Sequence, residues 1–112
     1  MSDDIRALTA EMARDPSSLV FIRLGEALRA RGQIDAARKV MRNGLDRHPD
    51  SVEAHDLDAR LRVDEGDLEG AEREWLRVLE GDDRHVGARK GLGFLCYRKG
   101  EVDAALDHRE LA

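Results

Sequence analysis

The sequence predicts an all-α chain built as a solenoid of antiparallel helix pairs, and three observations predict it. Gly32, Gly66 and Gly100 are each 34 residues apart, and so are Ala37, Ala71 and Ala105. The flanks superimpose as RARGQIDAAR, RVDEGDLEGAE and YRKGEVDAAL: a charged lead-in, glycine, a polar residue, an aliphatic, an acid, a small residue and alanine. Between these marks the apolar residues fall at helical spacing, as Val20, Phe21, Leu24, Ala27 and Leu28 do.

The elements follow in order. Residues 1–17 read as an N-terminal capping helix, because Ile5, Leu8 and Met12 recur at helical spacing and Pro16 stops them. Residues 18–51 form the first unit. Its first helix starts from Ser18, and Gly32 ends that helix because glycine accepts a positive φ at no steric cost. Asp35 suits the positive end of the next helix dipole, and Ala37, Val40, Met41 and Leu45 continue the apolar stripe. Pro49 and Asp50 break it, and Ser51 is the N-cap of the helix after. Residues 52–85 form a second unit with a divergent first helix. Residues 86–112 form a third, turning at Gly100 and truncated in its second helix, where Val102, Ala105, Leu106 and Leu111 supply the contacts. An open stack of this kind normally needs a polar cap, so the chain is expected to be a fragment of a longer protein.

These residues resemble the tetratricopeptide repeat family, over roughly residues 18 to 112. Phe21, Leu24-Gly25, Leu28, Ala37, Met41 and Pro49 fill that family's slots in the first unit. The second unit keeps Ala59, Ala71 and Trp75 but has His55, Asp58 and Arg62 in place of the aromatic, leucine and bulky residues, and Asp83 in place of proline. The third restores Leu92-Gly93, Cys96 and Ala105, with Arg109 in the second aromatic slot. The resemblance implies a right-handed superhelical solenoid of about three repeats plus the N-terminal capping helix. The small residues Gly25, Ala59 and Gly93 on first helices, and the alanines on second helices, let the two helices of a pair approach closely.

Composition narrows the function. A net charge of −5 from 19 basic and 24 acidic residues, with the signs interspersed, argues against nucleic acid. No run approaches the length of a membrane span, and the acidic start MSDDIRALTAEM has no apolar leader, so the expected location is cytoplasmic. Arginine far outnumbers Lys39, Lys90 and Lys99 among the basic residues, which with abundant Ala, Asp and Gly hints at a bacterial source.

Chemistry is poorly represented. His48, His55, His85 and His108 show no metal-ligand spacing, and His48 and His85 fall in turns expected to be exposed. The glycines of GARKGLGFL lack the strand and the GK[ST] ending of a phosphate loop. Cys96 excludes an internal disulfide and reads as a small buried hydrophobe. No catalytic, cofactor or metal residues are expected, and the chain is not expected to be an enzyme.

What remains is interaction. By resemblance, the concave face carries Leu19, Ile22, Arg23, Glu26 and Arg29 from the first unit. The second supplies Glu53, Asp56, Arg60 and Val63, and the third Lys90, Phe94 and Tyr97. The expected partner is a protein or peptide, and the expected role a non-catalytic scaffold. The positions of the family's chaperone-tail carboxylate clamp hold Ile22, Glu26, Leu57, Gly87 and Gly91, so that ligand is disfavoured. The stripe His55, Asp58, Arg62 is either a satisfied polar pair at a packing seam or a partner-facing site. Asp58 and Arg62 are the candidate self-association residues of an alternative reading as a homo-oligomerisation module. A targeting domain of a larger fused protein is the third reading.

Overall fold

The computed structural model describes the backbone of residues 2–111 and the side-chain surroundings of residues 4–101. Among them are six helices: α1 (Ser2–Arg14), α2 (Val20–Ala30), α3 (Ile34–Arg47), α4 (Val52–Glu65), α5 (Leu68–Gly81) and α6 (Val86–Leu111). Each helix packs on its chain neighbours. In addition α2 touches α4, and α4 touches α6, so the first helices of successive pairs stand side by side. Stacking in one direction makes the molecule long, 60 × 30 × 20 Å. Its radius of gyration is 16.5 Å, against ~13 Å for a compact domain of about 100 residues.

The interior is two clusters joined at α4. The first gathers Leu8 of α1, Phe21, Leu24 and Leu28 of α2, Ala37 and Met41 of α3, and Ala54, Leu57 and Leu61 of α4. The second gathers Ala59, Ala71, Trp75, Val78, Ala88 and Leu95 from α4, α5 and α6. Glycine permits the close approaches. A Cβ at Gly25 would meet the Met41 sulfur at 2.7 Å, and one at Gly91 would lie 2.5 Å from the Trp75 ring.

Helix ends are set by local chemistry. Ser51 caps α4 by accepting from the Ala54 amide at 3.2 Å. Asp67 caps α5, accepting from the Gly70 amide at 2.9 Å, and His85 Nδ1 accepts from the Ala88 amide at 3.0 Å at the start of α6. The Gly70 amide and the Arg62 guanidinium hold the Asp67 carboxyl below its ordinary range, against a partial desolvation. Gly32 and Gly66 take φ of +75° and +87°, which closes α2 and α4.

Gly100 behaves otherwise. The expected turn is absent, and α6 runs unbroken from Val86 to Leu111. Glycine allows a turn but does not compel one, and a turn is held only when the returning helix buries something. After Gly32 the chain returns to bury Met41, and after Gly66 to bury Trp75 and Val78. The position matching Met41 and Trp75 in the third unit is Arg109, which gives a returning helix little to bury. The contacts expected of Val102, Ala105, Leu106 and Leu111 lie outside the described side chains. Cys96, expected inside, is exposed because no returning helix covers it.

This contrast predicts opposite signs for one substitution. Gly66→Ala forces a side chain into the left-handed region and is expected to cost about 1 kcal/mol or more. Gly100→Ala replaces glycine within a helix and is expected to stabilise by roughly 0.5–1 kcal/mol. Thermal melts of the two variants measure both, and a lowered melting temperature for Gly100→Ala would show that the chain turns there.

Candidate functional site

Two features compete for attention: a groove beside α2 and α4, and a buried polar seam among α3, α4 and α5. The groove is lined by Glu26, Arg29, Ala30, Ile34, Leu57, Arg60 and Asp64. Arg29 donates from Nε to Asp64 Oδ2 at 2.7 Å, an ion pair that ties α2 to α4 along the groove edge. Arg60 extends over the groove with Nη2 3.4 Å from Asp56 Oδ2. Its Nε is buried without a hydrogen-bond acceptor among the described residues. Asp56 in turn accepts from Trp75 Nε1 at 2.9 Å, so α5 fixes the carboxylate that orients Arg60. A second depression lies between α1 and α2 and brings Arg23 and Glu26 beside Asp4 and Glu11.

Nine of the twelve candidate face residues fall into three rows spaced by 34: Ile22, Asp56 and Lys90; Glu26, Arg60 and Phe94; Arg29, Val63 and Tyr97. In each row the member from the third unit is exposed. Ile22 is only 9% exposed and belongs to the core cluster of α2, which corrects its assignment to the face. Val63 is half-buried against the second cluster. Lys90 is exposed, as are Phe94 at 42% and Tyr97 at 66%. Arg98 lies over the Phe94 ring at 5.8 Å, a cation–π contact on the open side of α6. Leu19 and Glu53 are also exposed.

The polar stripe of α4 faces inward. Asp58 is 3% exposed and accepts from Arg62 Nε at 3.0 Å and from Arg38 Nη1 of α3. Arg38 also approaches Glu65 at 3.3 Å, and Arg62 donates to Asp67 at 3.0 Å. Burial alone disfavours the Arg62 charge, but the carboxylates of Asp58, Asp67 and Glu74 together more than offset this, so its pKa is raised. His55, 5% exposed, directs Nε2 to the Pro49 carbonyl at 2.6 Å and Nδ1 to Glu74 of α5 at 2.5 Å. Asp58 and Arg62, the candidate self-association residues, are thus paired with each other and with Arg38 and Asp67 of their own chain. The seam binds three helices together.

His48 is structural too. His48, expected exposed, is half-buried. It stacks on Phe21 with ring centroids 5.7 Å apart and bonds the Ser17 carbonyl at 2.7 Å, tying the turn before α2 to the end of α3. Among the described residues no three His, Cys, Asp or Glu side chains stand together as a metal site would require.

Two models of the tetratricopeptide repeat match this chain, over residues 19–61 and 57–109. The chain belongs to the tetratricopeptide repeat family. No curated protein matches it. Tetratricopeptide repeats are generally protein–protein interaction modules, and the antiparallel helix pairs here have the family's solenoid form. Among the described residues, no helix is long and apolar enough to cross a membrane. Within this tetratricopeptide stack the groove lies where successive first helices meet. Sequence reasoning missed Asp64 and the Trp75–Asp56 bond, which respectively pair Arg29 and orient Arg60. The signal for Asp64 was present, since Arg29 and Asp64 lie one 34-residue period plus one residue apart, on adjacent first helices.

Proposed function

We propose that the chain is a non-catalytic scaffold that holds an extended segment of a protein partner along α2, α4 and α6. In this reading residues 1–17 cap the stack, 18–51 and 52–85 are complete units, and 86 onward supplies a further first helix. The observation that carries it is the groove itself. Arg60 is held over it by a carboxylate that Trp75 anchors, and the row continues onto the exposed rings of Phe94 and Tyr97. Arginine and aromatic side chains on a preformed surface are the usual energetic anchors of an interface. A carboxylate or backbone carbonyl of the partner would satisfy Arg60, and an apolar side chain would lie on Phe94.

The proposed partner is not a chaperone's C-terminal carboxylate, since Ile22, Glu26, Leu57, Gly87 and Gly91 provide no clamp of lysine and asparagine. Nor is it nucleic acid, given the net charge of −5. The charged surface suits work in an aqueous compartment, and we place it in the cytoplasm of a bacterium.

Selection from a displayed library of short peptides tests the site. The wild-type chain is expected to enrich sequences that combine an acid with an apolar residue. Arg60→Ala and Phe94→Ala should each weaken binding of the enriched peptides by roughly tenfold, about 1–2 kcal/mol, with helical content unchanged. Equal retention by all three proteins would remove the groove as the binding site.

A further inference from the structure

The polar seam of α4 is also the floor of a cleft between α3 and α5, with a volume of about 300 Å³. A space of that size is at the lower end of the range for ligand pockets, ~300–1,000 Å³, and suits a small group rather than an extended segment. Arg38 and Arg42 of α3, Arg62 of α4 and Arg77 of α5 all line it. Four guanidinium groups thus converge on one cleft in a chain whose net charge is −5. The cleft shares no residue with the groove beside α2 and α4.

The charges of the lining are unequally matched. Asp58 takes up Arg38 and Arg62 together, with one carboxylate oxygen to each. Glu65 and Asp67, which are not part of the lining, complete the pairing of these two arginines. Glu74 Oε2 is bonded to His55 Nδ1 at 2.5 Å, and His55 Nε2 to the Pro49 carbonyl. The floor is therefore satisfied by its own neighbours. Arg42 and Arg77 differ from it. Both are exposed, and among the described residues neither makes an ion pair or a side-chain hydrogen bond. The remaining acid of the lining, Asp46, lies one turn from Arg42 in α3 and is exposed and unpaired as well. Arg77 also borders the depression that holds Asp50 and Glu80, again without an ion pair.

We propose that this cleft binds a phosphoryl group, held between Arg42 and Arg77. The planar guanidinium fork matches the oxygens of a phosphate and donates to them in pairs. A phosphoryl group carries about −1.5 to −2 charges at pH 7 and three acceptor oxygens, so one group answers both arginines. A carboxylate, with a single charge, answers one. The floor does not oppose such a ligand strongly. Asp58 is flanked by two guanidinium groups and Glu74 is hydrogen-bonded to His55, which limits their repulsion of an incoming anion. The same chemistry is offered by free phosphate and by a phosphorylated side chain of a partner.

Isothermal titration calorimetry on the whole 112-residue chain tests it, with inorganic phosphate and a short phosphoserine peptide as probes at constant ionic strength. The wild type is expected to bind phosphate saturably. Arg42→Gln and Arg77→Gln should each raise the dissociation constant by about tenfold or more. Asp46→Asn, which removes a competing carboxylate, should lower it. Arg31→Gln, an exposed arginine at the end of α2, should leave it unchanged and so controls for net charge. Arg42 and Arg77 hold nothing in the free chain, so both variants should melt with the wild type when phosphate is absent, which separates lost binding from lost fold. A peptide that binds about tenfold more tightly than phosphate, and only when phosphorylated, places the source on a partner; otherwise the source is free phosphate. Absence of saturable binding of either probe overturns the proposal, as does an affinity that falls equally in Arg31→Gln.

Discussion

Asp58→Ala is expected to unfold the chain more readily than any other single truncation outside the apolar core. The carboxylate is 3% exposed and sits between Arg38 and Arg62. Removing it leaves two guanidinium groups facing each other across a seam from which water is largely excluded. Breaking one member out of a buried ion pair typically costs about 3–5 kcal/mol, because the orphaned charge keeps its desolvation penalty. The lower end applies here, since Arg38 keeps Glu65 and Arg62 keeps Asp67. A loss of about 3 kcal/mol corresponds to a fall of more than about 10 °C in melting temperature for a domain of this size. Urea unfolding of the variant measures it directly. A loss below about 1 kcal/mol, the range of a solvated surface pair, would show that water reaches the seam. The ion group need not itself be a source of stability. Replacing all of its members by apolar residues of similar volume is often neutral or favourable.

Gly44→Ala is the second large effect, and here two opposing terms must be weighed. Alanine is favoured over glycine inside a helix by about 1 kcal/mol, and Gly44 lies within α3. A Cβ at that position, however, would fall on the ring of Phe21. Phe21 cannot swing aside: it is 1% exposed and stacked on His48 with an interplanar angle of 8°. Forcing an extra carbon into a packed core costs about 1–3 kcal/mol, and overlap with a fixed ring lies towards the upper end. The net expectation is a loss of about 1–2 kcal/mol, read as a lower melting temperature. An unchanged or higher value would mean that Phe21 has room that its burial denies.

The parts of this fold that could be read in advance are those fixed by short stretches of chain. The 34-residue spacing of Gly32 and Gly66 marks real turns, and Ser51 caps the helix it precedes. Asp67 was equally readable as a cap, being an acid directly before Leu68. Gly100 has the same flanks as its counterparts and still lies within a helix. The difference is tertiary: whether the chain turns depends on what the next helix would bury, and Arg109 is a poor reward. The stripe of His55, Asp58 and Arg62 was visible, but its partners Arg38 and Glu74 lie on other helices, about 20 residues away in sequence. No local pattern reports such a pairing. Ile22 was assigned to the groove because core and face on α2 are separated by a single helical step.

The polar seam bears finally on the order in which the units of this array are assembled. Repeated helix pairs resemble one another, and a chain made of them can dock a helix against the wrong neighbour. Asp58 removes that freedom. Its partner on α3 is Arg38, and the residue 34 positions on, at the corresponding place in α5, is Glu72. If α5 were to take the place of α3 against α4, it would set one carboxylate against another. If α3 were to dock on α6, Arg38 would face Leu92, the counterpart of Asp58. Like charges and an unpaired buried cation each cost several kcal/mol. The departure of the second unit from its family's pattern thus acts as an address, written into one helix, that allows a single arrangement of its neighbours.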